Sequence, residues 1–130
     1  MRLNHLDLSV PDVAQAIPFF EKAFGFQHLE TKGNAGMAIL EGEGGFVLVL
    51  TRAAPAEHPP YPKSFHIGFL VASEQEVHAA FERIGAAGVD LPEPPRAMRG
   101  RLMFYVRGPG NILVEISHRP GAGDAAASPS

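Results

Sequence analysis

Apolar and polar residues alternate at the start of the chain. In residues 3–10, Leu6, Leu8 and Val10 are apolar and the residues between them are polar, which predicts a strand buried on one face. A helix is predicted next, capped by Asp12 and running to about residue 24, with Gly25 as its stop. Because Pro18 lies inside this span, we expect an irregular first turn or a regular helix that begins near it.

Similar patterns predict the remaining elements. Strands are expected at about 27–31, 35–41 and 45–51, followed by a proline-rich linker at 53–63. The second half predicts a strand at 65–71, a helix capped by Ser73 and ending at Gly88, and strands at about 89–91, 100–107 and 111–117. Residues 120–130 lack periodicity and are expected to form a flexible tail.

The two halves match at one fixed offset of 61 residues. His5 corresponds to His66 and Phe20 to Phe81, so the match runs through both strand and helix. This predicts an internal duplication of a strand–helix–three-strand unit. The expected fold class is therefore α+β, with two tandem βαβββ modules at about 1–52 and 64–119 in a single domain spanning residues 1–119.

Composition narrows the function. The 130 residues carry a net charge of −3 and no cysteine, which argues against a nucleic-acid partner and excludes disulfides and thiolate ligands. No apolar run approaches the roughly 20 residues that span a bilayer, and the strand-like start is unlike a signal peptide. We therefore expect a cytoplasmic protein with no membrane partner. Any bound metal needs ligands from the six histidines and the carboxylates.

Strand phase shows which polar residues share a face. A helix covers the more apolar face of each sheet, so His5, Asp7 and Ser9 are left on the uncovered face of the first strand. The same reasoning leaves His66 uncovered after the linker and Glu115 uncovered on the last strand. Two imidazoles and one carboxylate suit Zn, Mn, Fe, Co or Ni. Taken singly, His5 also fits an edge-strand histidine and Glu115 a solvated residue.

The chain resembles the vicinal oxygen chelate superfamily, also called the glyoxalase/bleomycin resistance/dioxygenase superfamily. Four segments carry the resemblance: residues 4–10 (NHLDLSV), 16–26 (AIPFFEKAFGF), 65–69 (FHIGF), and 105–115 with the turn GPGN at 108–111. The resemblance implies that the two modules form a curled mixed sheet, or cup, with the helices on its outer face. It also implies a divalent metal within the cup and a homodimer that shares its sites.

Three of the family's four metal positions carry over to His5, His66 and Glu115. Matching the uncovered faces puts Val49 at the fourth, where glyoxalase I and methylmalonyl-CoA epimerase have a glutamate. The resulting set resembles that of fosfomycin-resistance thiol transferases and extradiol dioxygenases, in which substrate oxygens take the open metal positions. In the dimeric transferases the first-strand histidine comes from one chain and the other two ligands from its partner, and the same is implied for His5.

Further residues are expected to face the substrate. Tyr105 is a candidate catalytic proton or hydrogen-bond donor, and Arg107 could bind carboxylate or phosphonate oxygens. Packing for Tyr105 and a solvated strand end for Arg107 remain alternatives. The other substrate-binding candidates are Asp7, Ser9, Val49, Met103 and Arg119. The four remaining histidines are expected at the surface: His28, His58, His78 and His118. Of these, His118 could also lie at the rim of the site.

The sequence thus predicts a metal-dependent lyase, transferase or dioxygenase acting on a small oxygen-rich substrate. The alternatives are a non-catalytic, bleomycin-resistance-like dimer that binds a drug or other small molecule, and a glyoxalase-type lyase or epimerase with an altered fourth ligand. A regulatory role with retained ligands is a further possibility. Kinship at the level of fold does not decide among them.

Overall fold

The structure is a computed structural model that describes residues 1–57 and 61–121. The predicted tail lies outside the described residues from position 122 onward. The linker residues 58–60, including the histidine at position 58, also lie outside them.

Within the described part of the chain there are eight strands and two α-helices. Each predicted strand except the one at 89–91 is present, with its ends shifted by at most two residues. The elements in chain order are β1 (His5–Val10), α1 (Val13–Pro18), β2 (Gln27–Lys32), β3 (Met37–Glu41), β4 (Val47–Arg52), β5 (His66–Leu70), α2 (Glu74–Ala86), β6 (Arg96–Met98), β7 (Arg101–Arg107) and β8 (Leu113–His118).

The strands form two sheets with the same connectivity. The first has the order β1-β4-β3-β2 and the second the order β5-β8-β7-β6. In each sheet the first and last strands of the module pair in parallel, and the remaining pairs are antiparallel. This confirms the α+β fold class and the duplicated βαβββ unit. The chain divides into two compact units, residues 1–62 with 108–111, and residues 63–107 with the chain from 112 onward.

The helix of the first unit changes character at Pro18. Asp12 caps α1 by accepting a hydrogen bond from the backbone N–H of Gln15 at 3.1 Å. After Pro18 the chain continues as a π-helical turn over Phe19–Ala23. Proline has no backbone N–H, so the regular ladder is interrupted there. The expected irregularity is present, but it follows Pro18 rather than occupying the first turn.

The prediction of a strand at 89–91 is wrong. These residues are irregular and lead into a segment with prolines at positions 92, 94 and 95. Proline cannot donate a ladder hydrogen bond, so pairing resumes only at β6. Arg99 and Gly100 then link β6 to β7 with φ angles of 52° and 78°. Positive φ at both central residues gives the tight hairpin turn whose twist matches the strands.

Each helix covers one face of its own sheet. In the first unit Leu8, Leu48 and Leu50 are buried on the side where α1 packs. In the second, α2 packs on β7 and β8, and Phe81 meets Phe104 edge to face with centroids 5.4 Å apart. Apolar burial of this kind holds each helix on its sheet. The opposite faces are termed here the open faces of the first and second sheets.

Candidate functional site

Four residues lie next to one another on the open face of the second sheet. His66 and Gly68 are two residues apart on β5 and so point to the same side. The strand register places Glu115 on β8 opposite Gly68, and Tyr105 on β7 opposite Glu115. Because paired residues share a face, the sheet brings an imidazole, a phenol and a carboxylate together without any loop.

Glu115 is a buried carboxylate with two polar neighbours. It is 7% exposed, and its Oε1 accepts a hydrogen bond from the Tyr105 hydroxyl at 3.0 Å. The guanidinium of Arg101 lies 3.8 Å from Oε2. A buried charge needs such partners to offset the loss of hydration. The burial and these contacts exclude the alternative that Glu115 is merely a solvated surface residue.

His66 is exposed and held in one orientation. Its Nδ1 lies 3.1 Å from the carbonyl oxygen of Ser64, and a carbonyl can only accept, so Nδ1 is the donor. The neutral ring therefore keeps the lone pair on Nε2, the tautomer that binds a metal. The ring also stands edge-on to Tyr105, at a centroid distance of 6.3 Å.

Gly68 keeps the space beside the Glu115 carboxylate open. A Cβ at position 68 would lie 3.8 Å from Glu115 Oε2, so larger side chains would cover that oxygen. The gap lies on the open face beside Glu115, two residues along β5 from His66. An imidazole nitrogen and a carboxylate oxygen around a gap fit two ligands of a divalent transition metal.

The first sheet differs at the equivalent positions. Its register pairs Asp7 with Val49, just as that of the second sheet pairs Gly68 with Glu115. Since position 68 is 61 residues after position 7, Val49 occupies the place that Glu115 occupies in the second unit. The carboxylate here is Asp7, whose Oδ1 accepts a hydrogen bond from Thr51 at 2.7 Å.

His5 is oriented in the same manner as His66. Its Nδ1 lies 2.7 Å from the side-chain oxygen of Asn4. An amide oxygen accepts, so Nδ1 donates and Nε2 keeps its lone pair. The equivalent histidines of both units thus present the same nitrogen to their surroundings. Among the residues that the structure describes, however, no three His, Asp or Glu side chains form a group that could hold a metal.

The remaining predicted residues have different surroundings. Met103 is buried on the open face of the second sheet, and Arg107 is exposed at the end of β7. Ser9 is half-buried, and Arg119 is exposed just beyond β8. His118 is paired with Leu102 on the helix-covered face, and its Nδ1 contacts the carbonyl of Val71 at 3.2 Å, so it faces away from the site. His28 and His78 are exposed, as expected.

Both tyrosines of the chain have raised pKa values. Burial is the largest cause for Tyr105, and the hydrogen bond to Glu115 and the charge of Glu115 raise its pKa further. Arg101 and Arg96 lower it to a smaller extent. Burial also raises the pKa of Tyr61, which is hydrogen-bonded to the Ser9 backbone and lies near Asp7. At neutral pH both phenols are therefore protonated, and each lies near a carboxylate.

Sequence reasoning missed several of these groups. Arg96 lies on β6, the strand that was not predicted, so its place beside the site could not be inferred. Strand phase alone places Arg101 on the uncovered face with Tyr105, but Arg101 was not among the predicted site residues. The orienting partners of the histidines, Asn4 and Ser64, are adjacent or nearly adjacent in sequence, but nothing in a sequence indicates which backbone carbonyl a ring contacts.

Comparison with known proteins agrees with this architecture. Residues 2–116 match the model of the Glyoxalase/Bleomycin resistance protein/Dioxygenase superfamily. The chain belongs to this superfamily. Proteins of the superfamily usually bind a divalent metal and commonly form dimers that bind small molecules.

Three of the similar proteins share between 23% and 36% sequence identity with this chain. A possible glyoxalase from Bacillus cereus is 36% identical with a TM-score of 0.75, over 89% of this chain and 97% of that one. The virulence protein STM3117 of Salmonella typhimurium is 28% identical, over 89% of this chain and 83% of the relative. A superfamily member from Nocardioides shares the fold at 23% identity, with a TM-score of 0.77 over 95% of this chain and 86% of that one.

No helix in the described residues is long and apolar enough to cross a membrane.

Proposed function

We propose that this protein is a metal-dependent enzyme acting on a small oxygen-rich substrate. His66 and Glu115 hold a divalent ion of Fe, Mn, Zn, Ni or Co, and His5 supplies the third ligand. The observation that carries the proposal is that an oriented imidazole, His66, shares the open face with the buried carboxylate of Glu115, which Gly68 leaves uncovered. When bound, the metal acts as a Lewis acid or oxygen-activating centre for chelated substrate oxygens.

We further propose that the active protein is a homodimer in which His5 comes from the other copy. In the dimeric thiol transferases that the chain resembles, the first-strand histidine comes from the partner chain, and His5 is the equivalent residue here. The exposed ring of His5, with Nδ1 already engaged by Asn4, suits a role in a shared site.

The surrounding residues act on the substrate. Tyr105 remains protonated at neutral pH, since burial and Glu115 raise its pKa. Its single O–H, which Glu115 accepts in this structure, would turn to a substrate oxygen to donate a hydrogen bond or proton there. Arg107 is a candidate for contact with a substrate carboxylate or phosphonate. Three protein ligands leave metal positions for two substrate oxygens, as thiol transfer or ring cleavage would require.

A second candidate reaction is that of a lyase or epimerase with four protein ligands. The observation that favours it is Asp7, a carboxylate directly opposite Val49 on the neighbouring strand. If Asp7 reaches the metal, this carboxylate on β1 takes the role of the glutamate that Val49 replaces on β4.

The test is elemental analysis of the purified protein prepared without chelator. We expect close to one divalent ion per chain in the wild type and much less in Glu115→Gln, because loss of one ligand lowers metal affinity about tenfold or more. The matched control is Glu41→Gln, which makes the same change at an exposed carboxylate on β3. This variant should keep its metal. Equal and negligible metal in wild type and Glu115→Gln would contradict the proposal. Loss of metal in Asp7→Asn would favour the four-ligand candidate.

Homodimer formation has its own test. Light scattering at micromolar concentration should give the mass of two chains. The mass of one 13.9 kDa chain together with full metal content would contradict the shared site.

A further inference from the structure

A groove lies beside Tyr105 on the second unit. It is lined by the Pro92–Pro94 segment, Arg96 and the β7 residues Met103, Phe104 and Tyr105. Its volume is about 190 Å³, below the roughly 300–1,000 Å³ of pockets that take drug-sized molecules. The groove therefore suits one small group of a ligand rather than a whole cofactor.

Two arginines of the β6–β7 hairpin lie at or near the groove: Arg96 lines it, and Arg101 is two residues along β7 from the lining residue Met103. The register places Arg96 opposite Met103 and Met98 opposite Arg101, so both arginines share the open face with Tyr105. The charges of both act on the Tyr105 hydroxyl. They thus lie on the same side of the sheet as His66 and Glu115.

The hydrogen-bonding capacity of these arginines is not used up. The contact of Arg101 with Glu115 is 3.8 Å, longer than the 2.7–3.2 Å of a hydrogen bond. Within the residues described, no carboxylate lies within ion-pair distance of Arg96. A guanidinium has five N–H donors in a fork that matches carboxylate and phosphonate oxygens.

We propose that this groove binds an oxyanionic group of the substrate, a carboxylate or a phosphonate, with Arg96 and Arg101 as its cationic contacts. The inference rests on the proposed function, since it places the anion next to the oxygens that the metal would chelate. It narrows the substrate class to small acids with an anionic group close to the chelating oxygens. The proline segment and Met103 contact the apolar part of that molecule.

Two carboxylates near the groove would repel a bound anion. Glu93 lines the same groove and is exposed, and Glu115 is close to Arg101. Without metal the four charged side chains sum to zero, so anion binding is weak. Removing either negative charge should strengthen it, whereas removing a positive charge should weaken it. These opposite changes in anion affinity distinguish a site built on arginines from nonspecific hydrophobic binding in an apolar groove.

The experiment uses chelator-treated, metal-free full chain, so it does not depend on the metal proposal. Amide NMR titrations measure the dissociation constants of benzoate, phenylphosphonate and neutral benzamide. We expect both anions to bind more tightly than benzamide, and Arg96→Gln and Arg101→Gln each to weaken anion binding about tenfold, the effect of one charge-assisted hydrogen bond. Glu93→Gln should tighten it.

Arg99→Gly is the matched control. It removes the same charge from the tip of the same hairpin, at a position with φ of 52° that glycine adopts readily, and should leave binding unchanged. Tighter binding of benzoate or of phenylphosphonate identifies which oxyanion the groove prefers, and either supports the proposal. Equal affinity for all three probes, or no effect of Arg96→Gln in protein with an unchanged circular dichroism spectrum, overturns it.

Discussion

The open faces of the two sheets share a strand order but carry different chemistry at equivalent positions. In the first sheet the carboxylate is Asp7 on β1, opposite the apolar Val49. In the second, Glu115 on β8 is opposite Gly68. The acidic residue therefore lies on the first strand of one module and on the last strand of the other.

The position of the carboxylate in the sheet determines how many strands flank it and how exposed it is. β1 is an edge strand, whereas β8 lies between β5 and β7. Glu115 thus has neighbours on both sides and is 7% exposed, whereas Asp7 is exposed and bonded to Thr51. A carboxylate confined on both sides can keep one geometry. Of these two acidic positions, only that of Glu115 is both buried and flanked by strands on each side.

The largest effect is expected from filling the gap over Glu115. Gly68→Val should lower metal affinity about 10- to 100-fold, because its methyl groups would cover the carboxylate oxygen that a Cβ already approaches to 3.8 Å. Valine suits a strand, so the fold should persist. Competition with a chromogenic chelator measures the change.

The matched variant in the first sheet is Asp7→Val, at the equivalent position of β1. It should leave metal affinity within about twofold if the three-ligand proposal is correct. A larger loss in Asp7→Val than in Gly68→Val would reverse the roles assigned to the two faces.

A smaller effect is expected from the hydrogen bonds to the two carboxylates. In metal-free protein, Tyr105→Phe should lower the free energy of unfolding by about 1–2 kcal/mol, because it removes the hydrogen bond to a buried charge. Thr51→Val should cost less than about 0.5 kcal/mol, since water can replace the hydroxyl at the exposed Asp7. Urea denaturation measures both, and equal losses would show that the faces do not differ in confinement.

The smallest effect concerns titration of the two tyrosines. The folded protein should form tyrosinate at higher pH than the unfolded chain, because burial raises the pKa of Tyr61 and of Tyr105 above 10.0. The folded state then binds more protons, so this stabilisation is present below pH 10.0 and is lost as pH rises through the folded pKa. With no tryptophan in the chain, ultraviolet absorbance follows it directly.

Tyr61→Phe and Tyr105→Phe assign the transition to its residues. The Tyr105→Phe variant should lose less stability above pH 10.0 than the wild type. Identical titration curves for folded and urea-unfolded protein would contradict the burial of both phenols.

Much of the fold follows from local patterns. Alternation in residues 3–10 and 111–117 places His5 and Glu115 on the faces opposite the helices, because side chains along a strand alternate strictly. The offset of 61 residues predicts the duplicated module for the same reason, since equal patterns form equal elements. β6 was missed because it has only three residues and a turn that requires positive φ at an arginine, which that residue rarely adopts.

By itself the sequence determined the repeated unit, the phase of β1, β5 and β8, and the residue types available as metal ligands. The sequence also placed Val49 at the position equivalent to Glu115, and the strand register confirms it. Only the tertiary structure decided that Glu115 is buried beside Tyr105, that Ser64 and Asn4 orient the histidines, and that Arg96 lies beside Tyr105. Strand phase is a property of consecutive residues, whereas register, burial and hydrogen-bond partners depend on which strands lie side by side. The difference in burial between Asp7 and Glu115 belongs to the second kind.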